Sequence, residues 1–190
     1  MNAPAIISAQ NNSALATVDR HRHDLAPTDW QGNPTVVDRH TRLIPAEELG
    51  RCVVELEAAL VPAAPATAAK LAATLVGSYP SREVTEPEIY ARALASIFAE
   101  HAPDIGRAAI EQITRKLRFL PTRADAHEAL TVLTKNREGQ LRVARQMALE
   151  RDARAKGAAR EKSGYNSLPD DAKRTHEALM ASWLKRMPGR

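Results

Sequence analysis

Residues 103–134 read PDIGRAAIEQITRKLRFLPTRADAHEALTVLT, and this stretch decides the fold class. A proline and an acid open its first half, apolar residues recur three and four positions apart, and cations close it, which is typical of a helix. Phe119-Leu120-Pro121 ends that helix. Thr122 and Asp125 then have the spacing of a capping box, which begins the next helix. Two helices joined by a proline turn predict an all-α module.

Apolar spacing also predicts three helices before residue 103. Their starts are marked by Pro45, by Thr67 and by the capping-box pair Thr85 and Glu88. The predicted helical module therefore covers residues 45–134. Phe98 and Phe119 fall on the apolar phase of their segments. Because the whole chain has only seven aromatic residues, we expect both rings in the core.

Residues 1–44 show no sustained period of two or 3.6 residues, and Asn, Ser, Thr, Pro, His and Arg are interspersed through them. Too little apolar surface remains to offset the entropy cost of ordering this backbone, so a flexible arm is expected. Within the arm, metal-ligand types cluster at His21, His23 and Asp24, with His40 further along the chain. An arginine between the first two and the lack of a third close ligand argue against a metal site.

After residue 134 the chain becomes strongly basic. Residues 135–162 carry nine basic residues against four acidic ones and predict a long exposed helix. Five of its arginines could contact a phosphate backbone: Arg142, Arg145, Arg151, Arg154 and Arg160. The interleaved acids, and the absence of an aromatic side chain for stacking bases, favour an ordinary solvated helix over nucleic-acid contact.

The C-terminal region is predicted as a linker over residues 163–168 and an amphipathic helix over residues 169–190. The apolar stripe of this helix consists of Leu179, Met180, Trp183 and Met187. Either the stripe docks on the module, or it binds a partner, as a tethered helix with a tryptophan anchor can. Its four residues are therefore the candidate partner-binding residues.

No catalytic motif is present. The chain has no phosphate-binding glycine loop, no nucleophile elbow and no zinc-protease motif. The acid pairs Glu86/Glu88 and Asp170/Asp171 stand at predicted helix starts, where acids stabilise the helix end. His101 and His127 lie beside apolar neighbours, where a partly buried or capping histidine is commoner than a catalytic base. We therefore expect a protein that is not an enzyme and that takes no cofactor.

The composition restricts the cellular setting. Cys52 is the only cysteine, which excludes an internal disulfide and a cysteine-based zinc site and suits a reducing compartment. No apolar run approaches the length of about 18 residues that a membrane span needs. Lys and Arg exceed Asp and Glu by 27 to 23, a mild excess that favours polyanionic partners. A cytoplasmic location is the expectation.

The stretch from Leu71 to Leu130 contains an ordered set of features. LAATLVGSYP ends one helix at Tyr79-Pro80, and the sequence EPEIYARALASIFAEHAPDIGRAAIEQITRKLRFLPTRADAHEAL follows after a short loop. This order, with its Phe-Leu-Pro-Thr turn at residues 119–122, resembles the small helical domain of phage replicative-helicase loaders. The resemblance implies an adaptor that engages a hexameric replicative helicase and brings it to an origin complex without hydrolysing nucleotide.

Two other functional classes remain open at the level of sequence. One is a nucleic-acid-binding protein that acts through the basic helix over residues 135–162. The other is a virion or assembly protein that self-associates through exposed helices.

Overall fold

The computed structural model describes residues 14–80 and 86–186, and within these ranges the chain is all-α, as predicted. The helices are α1 Ala16–Arg20, α2 Ala46–Ala58, α3 Pro65–Gly77, α4 Pro87–Phe98, α5 Pro103–Lys116, α6 Arg123–Asn166 and α7 Asp170–Arg186. The described residues contain no strand beyond a single bridge between Thr28 and Pro34. Thr85, the predicted partner of Glu88 in a capping box, lies outside the described residues.

Helix starts follow the sequence signals closely. Proline occupies the first turn of α3, α4 and α5, where its fixed φ suits the helix and its missing N–H costs no hydrogen bond. At α6 the N–H of Thr122 donates to Asp125 Oδ2 at 2.7 Å, and the N–H of Asp125 donates to Thr122 Oγ1 at 3.2 Å. The predicted capping pair therefore forms, with an aspartate in the place that glutamate usually takes.

One core cluster, here called the module cluster, joins α3, α4, α5 and the first turns of α6. Its fully buried large side chains are Leu75, Leu94, Phe98 and Leu130, with Ile105 nearly so. Gly106 permits this packing, because a Cβ there would lie 2.7 Å from Leu71 Cδ1 and 3.2 Å from Phe98 Cδ1. The predicted core position of Phe98 is confirmed.

Phe119 is not a core residue, and the prediction that it anchors the module is wrong. Its side chain is 70% exposed. Helix α5 ends at Lys116, and Leu117 already has an extended backbone with φ −104° and ψ 126°. The apolar phase that placed Phe119 inward is therefore lost before the chain reaches it.

A second cluster, here called the arm cluster, shows that part of the predicted flexible arm over residues 1–44 packs on the rest of the chain. Val18, Leu25 and Ile44 are buried against α2 and against the middle of α6. Glu55 of α2 also accepts the N–H groups of Thr17 and Val18 at 3.1 and 3.2 Å. Val18 lies in the short helix α1, and Leu25 and Ile44 come from irregular backbone, so no sustained sequence period reveals them.

Helix α2 also belongs to the arm cluster rather than to the module cluster, so the predicted boundary of the module at residues 45–134 does not match the packing. Leu49, Cys52 and Leu56 supply its buried face. Burial raises the pKa of the Cys52 thiol to about 11, and the Glu55 and Glu48 carboxylates act in the same direction. The thiol is therefore protonated and unreactive at neutral pH.

Helix α6 is a single helix of 44 residues that runs through three predicted segments. It includes the end of the module, the whole basic segment 135–162 and most of the predicted linker 163–168. Its middle is not exposed as expected, because Leu141, Val143, Ala144 and Met147 are buried in the arm cluster. Only residues 167–169 separate it from α7, which confirms a C-terminal helix within residues 169–190.

The chain divides into two compact units, Met1–Ala148 and Leu149–Arg190. The first unit holds both core clusters. In the second unit, none of the side chains that the structure describes is buried. Across the described ranges, no helix combines the length and the apolar character that crossing a bilayer requires.

Candidate interaction surfaces

The second unit is a helical hairpin formed by the end of α6 and by α7. The hydroxyl of Tyr165 donates a hydrogen bond to Glu177 Oε1 at 2.6 Å, and the Tyr165 ring lies 5.4 Å from that of His176. The hydrogen bond to Glu177 raises the pKa of Tyr165, which keeps the phenol in its donating form. These contacts hold the first turns of α7 against the end of α6.

The apolar side chains of this hairpin are open to solvent. Leu179 is 63% exposed and Met180 is 45% exposed, and Leu149 at the start of the unit is exposed as well. The other predicted partner-binding residues are not tested, since the side chain of Trp183 and all of Met187 lie outside what the structure describes. Exposed apolar side chains such as Leu179 and Met180 leave apolar surface that a partner could cover.

The hairpin segment also carries the whole net charge of the protein. Residues 149–190 contain ten Lys and Arg against six Asp and Glu, which gives +4, whereas residues 1–148 contain seventeen of each. The complete chain has a net charge of +4. A surface that is both apolar and positive favours an acidic partner.

The five arginines predicted as nucleic-acid contacts do not form one stripe. Arg145 Nη2 pairs with Glu57 Oε1 at 2.8 Å, and Arg154 Nε pairs with Glu150 Oε1 at 2.8 Å. Each residue of a helix turns by about 100°, so Arg151 and Arg160, nine positions apart, project about 180° apart. Arg142 and Arg160 are exposed, and Arg151 is half-buried. A continuous phosphate-tracking face is therefore absent from this helix as the structure describes it.

Among the arm's candidate metal-ligand side chains, His21, Asp24 and His40 make hydrogen bonds with other side chains. His21 Nε2 lies 2.5 Å from Glu48 Oε2, and its Nδ1 lies 3.1 Å from Asp24 Oδ2. His40 Nε2 accepts a hydrogen bond from Arg39 Nε at 3.0 Å, and His23 is exposed. Among the residues that the structure describes, no group of three ligand-type side chains is placed to hold a metal ion.

Two histidines have shifted pKa values in opposite directions. Burial lowers the pKa of His21, but hydrogen bonds to Asp24 and Glu48 outweigh burial and leave its pKa above the ordinary value of 6.5. His101 is buried with Nδ1 2.8 Å from Thr134 Oγ1, and burial lowers its pKa. The prediction of a partly buried histidine holds for His101 but not for His127, which is exposed because its position on α6 faces away from the core.

Acid pairs stand at helix starts as the sequence predicts. Glu86 immediately precedes α4 and Glu88 lies in its first turn, while Asp170 and Asp171 form the start of α7. Both positions suit stabilisation of a helix N-terminus.

A cavity that no sequence pattern predicts lies between α5 and α6. Its volume is about 230 Å³, and its lining consists of Gln112, Ile113, Lys116, Leu117, Asp125, Glu128, Ala129 and Val132. Gln112 Oε1 is buried and finds no hydrogen-bond partner among the residues that the structure describes. The turn at one end of the cavity is held by two tyrosines, since Tyr79 donates to the carbonyl of Leu117 at 3.3 Å and Tyr90 to that of Pro121.

Sequence reasoning also missed Trp30, whose side chain is 91% exposed. The loop that carries it is well ordered by hydrogen bonds. Asp29 Oδ1 accepts the N–H groups of Gln31 and Asn33 at 2.9 and 2.8 Å, and the Asn33 side-chain amide donates to Asp29 Oδ2 at 3.1 Å. Gly32 turns the chain with φ +85°. The Asp-Trp-Gln-Gly-Asn sequence is a turn signal that could have indicated this loop.

Pro27 fixes the base of the Trp30 loop against α6. A Cβ at Gly139 would lie 2.5 Å from Pro27 Cβ, so a glycine at this position leaves room for the proline ring against α6. Thr35 adds a hydrogen bond from its N–H to the Pro27 carbonyl at 3.1 Å and another from its hydroxyl to the Ala26 carbonyl at 2.8 Å. The loop therefore presents Trp30 from a fixed base.

Comparisons of the chain with protein-family models, with curated proteins and with solved structures find no significant match.

Proposed function

We propose that this chain is a non-catalytic adaptor of the phage replicative-helicase loader type, which binds a hexameric replicative helicase and helps to load it on DNA. The observation that carries the proposal is the hairpin of residues 149–186, in which no described side chain is buried while Leu179 and Met180 are exposed. Helices with exposed apolar side chains gain stability when a partner covers those side chains.

Three further observations support this function. The resemblance of residues 71–130 to the small helical domain of helicase loaders implies that the partner is a hexameric replicative helicase. The charge of residues 149–190 suits an acidic surface on that partner. The sequence has no phosphate-binding glycine loop, which agrees with an adaptor that does not hydrolyse nucleotide.

Binding to a purified hexameric replicative helicase at near-physiological salt tests the proposal. We expect the chain to bind, and the variant with Leu179→Ala, Met180→Ala and Trp183→Ala to bind at least tenfold more weakly, because apolar anchors dominate such interfaces. Val54→Ala with Val61→Ala is the matched control, since both valines are exposed on the first unit. No association of the unaltered chain refutes the helicase assignment, and full binding by the triple variant refutes the role of the hairpin.

A second candidate function is direct nucleic-acid binding through the basic segment 135–162, and its nine basic residues against four acidic ones favour it. Binding carried by phosphates weakens steeply with salt, by a slope of about 0.9 per phosphate contact on duplex DNA. A titration of the chain with duplex and single-stranded DNA between about 50 and 200 mM salt measures this slope. A flat dependence, or no binding at the lowest salt, removes this candidate.

A further inference from the structure

We infer that the turn between α5 and α6 binds single-stranded nucleic acid, with the ring of Phe119 stacked on a base and the neighbouring cations on phosphates. The inference does not depend on the proposed function, and it places the contact outside the basic segment 135–162. Phe119 is 70% exposed. The sequence around it, RKLRFLPTR over residues 115–123, contains four cations and no acid.

The cations of this turn are available to a ligand. All four side chains are exposed, namely those of Arg115, Lys116, Arg118 and Arg123. Arg115 Nη2 lies 3.7 Å from Glu111 Oε2, a long distance for an ion pair. The other three cations have no ion-pair partner among the residues that the structure describes. They can therefore contact phosphates without breaking an internal pair.

The acids nearest in sequence flank the turn on both sides. Residues 111–128 as a whole carry four cations against three acids, so the excess of positive charge is concentrated in residues 115–123. The carboxylate of Asp125 is engaged in the cap of α6, because Oδ2 accepts the N–H of Thr122 at 2.7 Å and its hydroxyl at 2.6 Å. Glu128 lies further along, in the second turn of α6.

The backbone of the turn is fixed at both ends. The Tyr79 hydroxyl donates to the carbonyl of Leu117 at 3.3 Å, and the Tyr90 hydroxyl donates to the carbonyl of Pro121. Pro121 is itself fully buried. Phe119 is thus presented to solvent from an ordered turn, and binding through it costs little conformational entropy.

An exposed aromatic ring among cations combines the two features that sequence-independent binding of a single strand uses. The basic segment 135–162 has the charge but no aromatic side chain, and Trp30 has the ring but only Asp29 as a charged residue between Pro27 and Val37. Of these three surfaces, the turn alone has both features.

The apolar area of the turn distinguishes a base from a bilayer. Leu117 and Leu120 are half-buried, so Phe119 is the turn's one large apolar side chain that is mostly exposed. A single ring suits one stacked base, whereas binding to a membrane surface grows with the apolar area that is buried in it.

Fluorescence anisotropy of a labelled oligothymidine of about 12 nucleotides tests the stacking contact with the full-length protein. We expect binding at low salt, and Phe119→Ala should weaken it about fivefold or more, as loss of a stacked base does. Phe119→Leu keeps an apolar side chain without a π-face and should lose as much, whereas Phe119→Trp should retain binding. Because the position is exposed, all three variants should keep the melting temperature of the unaltered chain.

A charge variant tests the phosphate contacts. Replacement of Lys116, Arg118 and Arg123 by Gln should weaken binding and reduce the slope of log affinity against log salt by about 2, since each phosphate contact on a single strand contributes about 0.7. The matched control replaces three exposed cations of the basic segment by Gln, namely Arg142, Lys156 and Arg160. It removes the same charge and should leave the slope unchanged.

Four results would overturn the inference. One is no binding of the oligonucleotide at the lowest salt, and another is full binding by Phe119→Ala. A basic-segment variant that loses as much affinity as the turn variant would move the contact to residues 135–162. Binding to vesicles of anionic lipid that Phe119→Ala abolishes, without binding of the oligonucleotide, would assign the turn to a membrane surface instead.

Discussion

Phe98 is fully buried in the module cluster, and Gly106 of α5 leaves room beside its ring. We expect Phe98→Ala to lower the free energy of unfolding by about 3–5 kcal/mol, because the change removes buried surface and leaves a cavity. Phe119→Ala is the natural comparison, since that ring is mostly exposed, and it should change stability by about 0.5 kcal/mol or less. Denaturant titration of both variants checks the prediction. Equal losses would contradict the exposure of Phe119.

His21 makes stability depend on pH through its contacts with Asp24 and Glu48. Its pKa is raised in the folded protein, whereas the pKa of Glu48 is lowered by its hydrogen bond with His21. The stabilisation by the His21 cation is therefore complete below pH 6.5 and is lost as pH rises through the raised pKa. The interaction is strongest between the lowered pKa of Glu48 and the raised pKa of His21. We expect His21→Gln to cost more stability at pH 6 than at pH 9, measured by denaturant titration at both values.

His101 supplies the control because its pKa is lowered by burial. Below pH 6.5 the unfolded chain binds a proton at this residue that the folded chain does not, so His101 destabilises the fold as pH falls. Replacement of His101 should therefore reduce the loss of folding stability at low pH. Replacement of His21 should have the opposite effect, because it removes stability that is present at low pH. A His21→Gln variant whose stability deficit does not vary with pH would show that His21 is not charged in the fold.

At the scale of elements, the sequence predicts those features that depend on neighbouring residues. The starts of α5 and α6 follow from Pro103 and the Thr122 capping pair, which act within one turn, whereas α3 begins at Pro65, two residues before the predicted start at Thr67. The continuity of α6 does not follow in the same way. Its basic segment looks separate because the charge pattern changes at residue 135, yet Leu141 and Met147 are buried by the arm, whose apolar residues are far away in sequence.

Two glycines of α6 should respond to alanine with opposite signs. A Cβ added at Gly157 would meet no atom of the described residues within 4 Å, so Gly157→Ala gains helix propensity and should stabilise that part of the helix by about 0.5–1 kcal/mol. At Gly139 a Cβ would lie 2.5 Å from Pro27 Cβ, and the rigid proline ring cannot move aside, so Gly139→Ala should destabilise the first unit. Amide hydrogen exchange along α6 measures both effects. Stabilisation by Gly139→Ala would contradict the contact of Pro27 with the helix.

At the scale of the whole molecule, the sequence predicts that a helix has an apolar stripe better than it predicts where exposed apolar side chains and cavities lie. Helical spacing places Leu179 and Met180 on one apolar stripe of α7 but leaves open whether that stripe is covered, and the structure shows both residues exposed. Trp30 and the α5/α6 cavity give no periodic signal, because one lies on a hydrogen-bonded loop and the other exists only where two helices meet. The turn signal around Gly32 indicates the loop, but the exposure of Trp30 and the formation of the cavity depend on tertiary packing, which no local pattern encodes.

Removal of the second unit tests whether the protein divides as its packing indicates. None of the described residues beyond Ala148 belongs to the module cluster or to the arm cluster, so a chain ending at Ala148 should keep both cores. We expect its melting temperature to stay within about 3 °C of the full chain, since a loss of 1 kcal/mol shifts a protein of this size by about 2–4 °C.

The same truncation should remove the positive charge. Residues 1–148 carry seventeen basic and seventeen acidic residues, so the net charge falls from +4 to zero and binding to acidic partners should disappear. Circular dichroism melting and helicase binding, both against the full chain, separate the two effects. A truncated chain that melts far below the full chain would mean that the hairpin stabilises the two core clusters. A truncated chain that melts normally and still binds the helicase would move the partner surface onto the first unit.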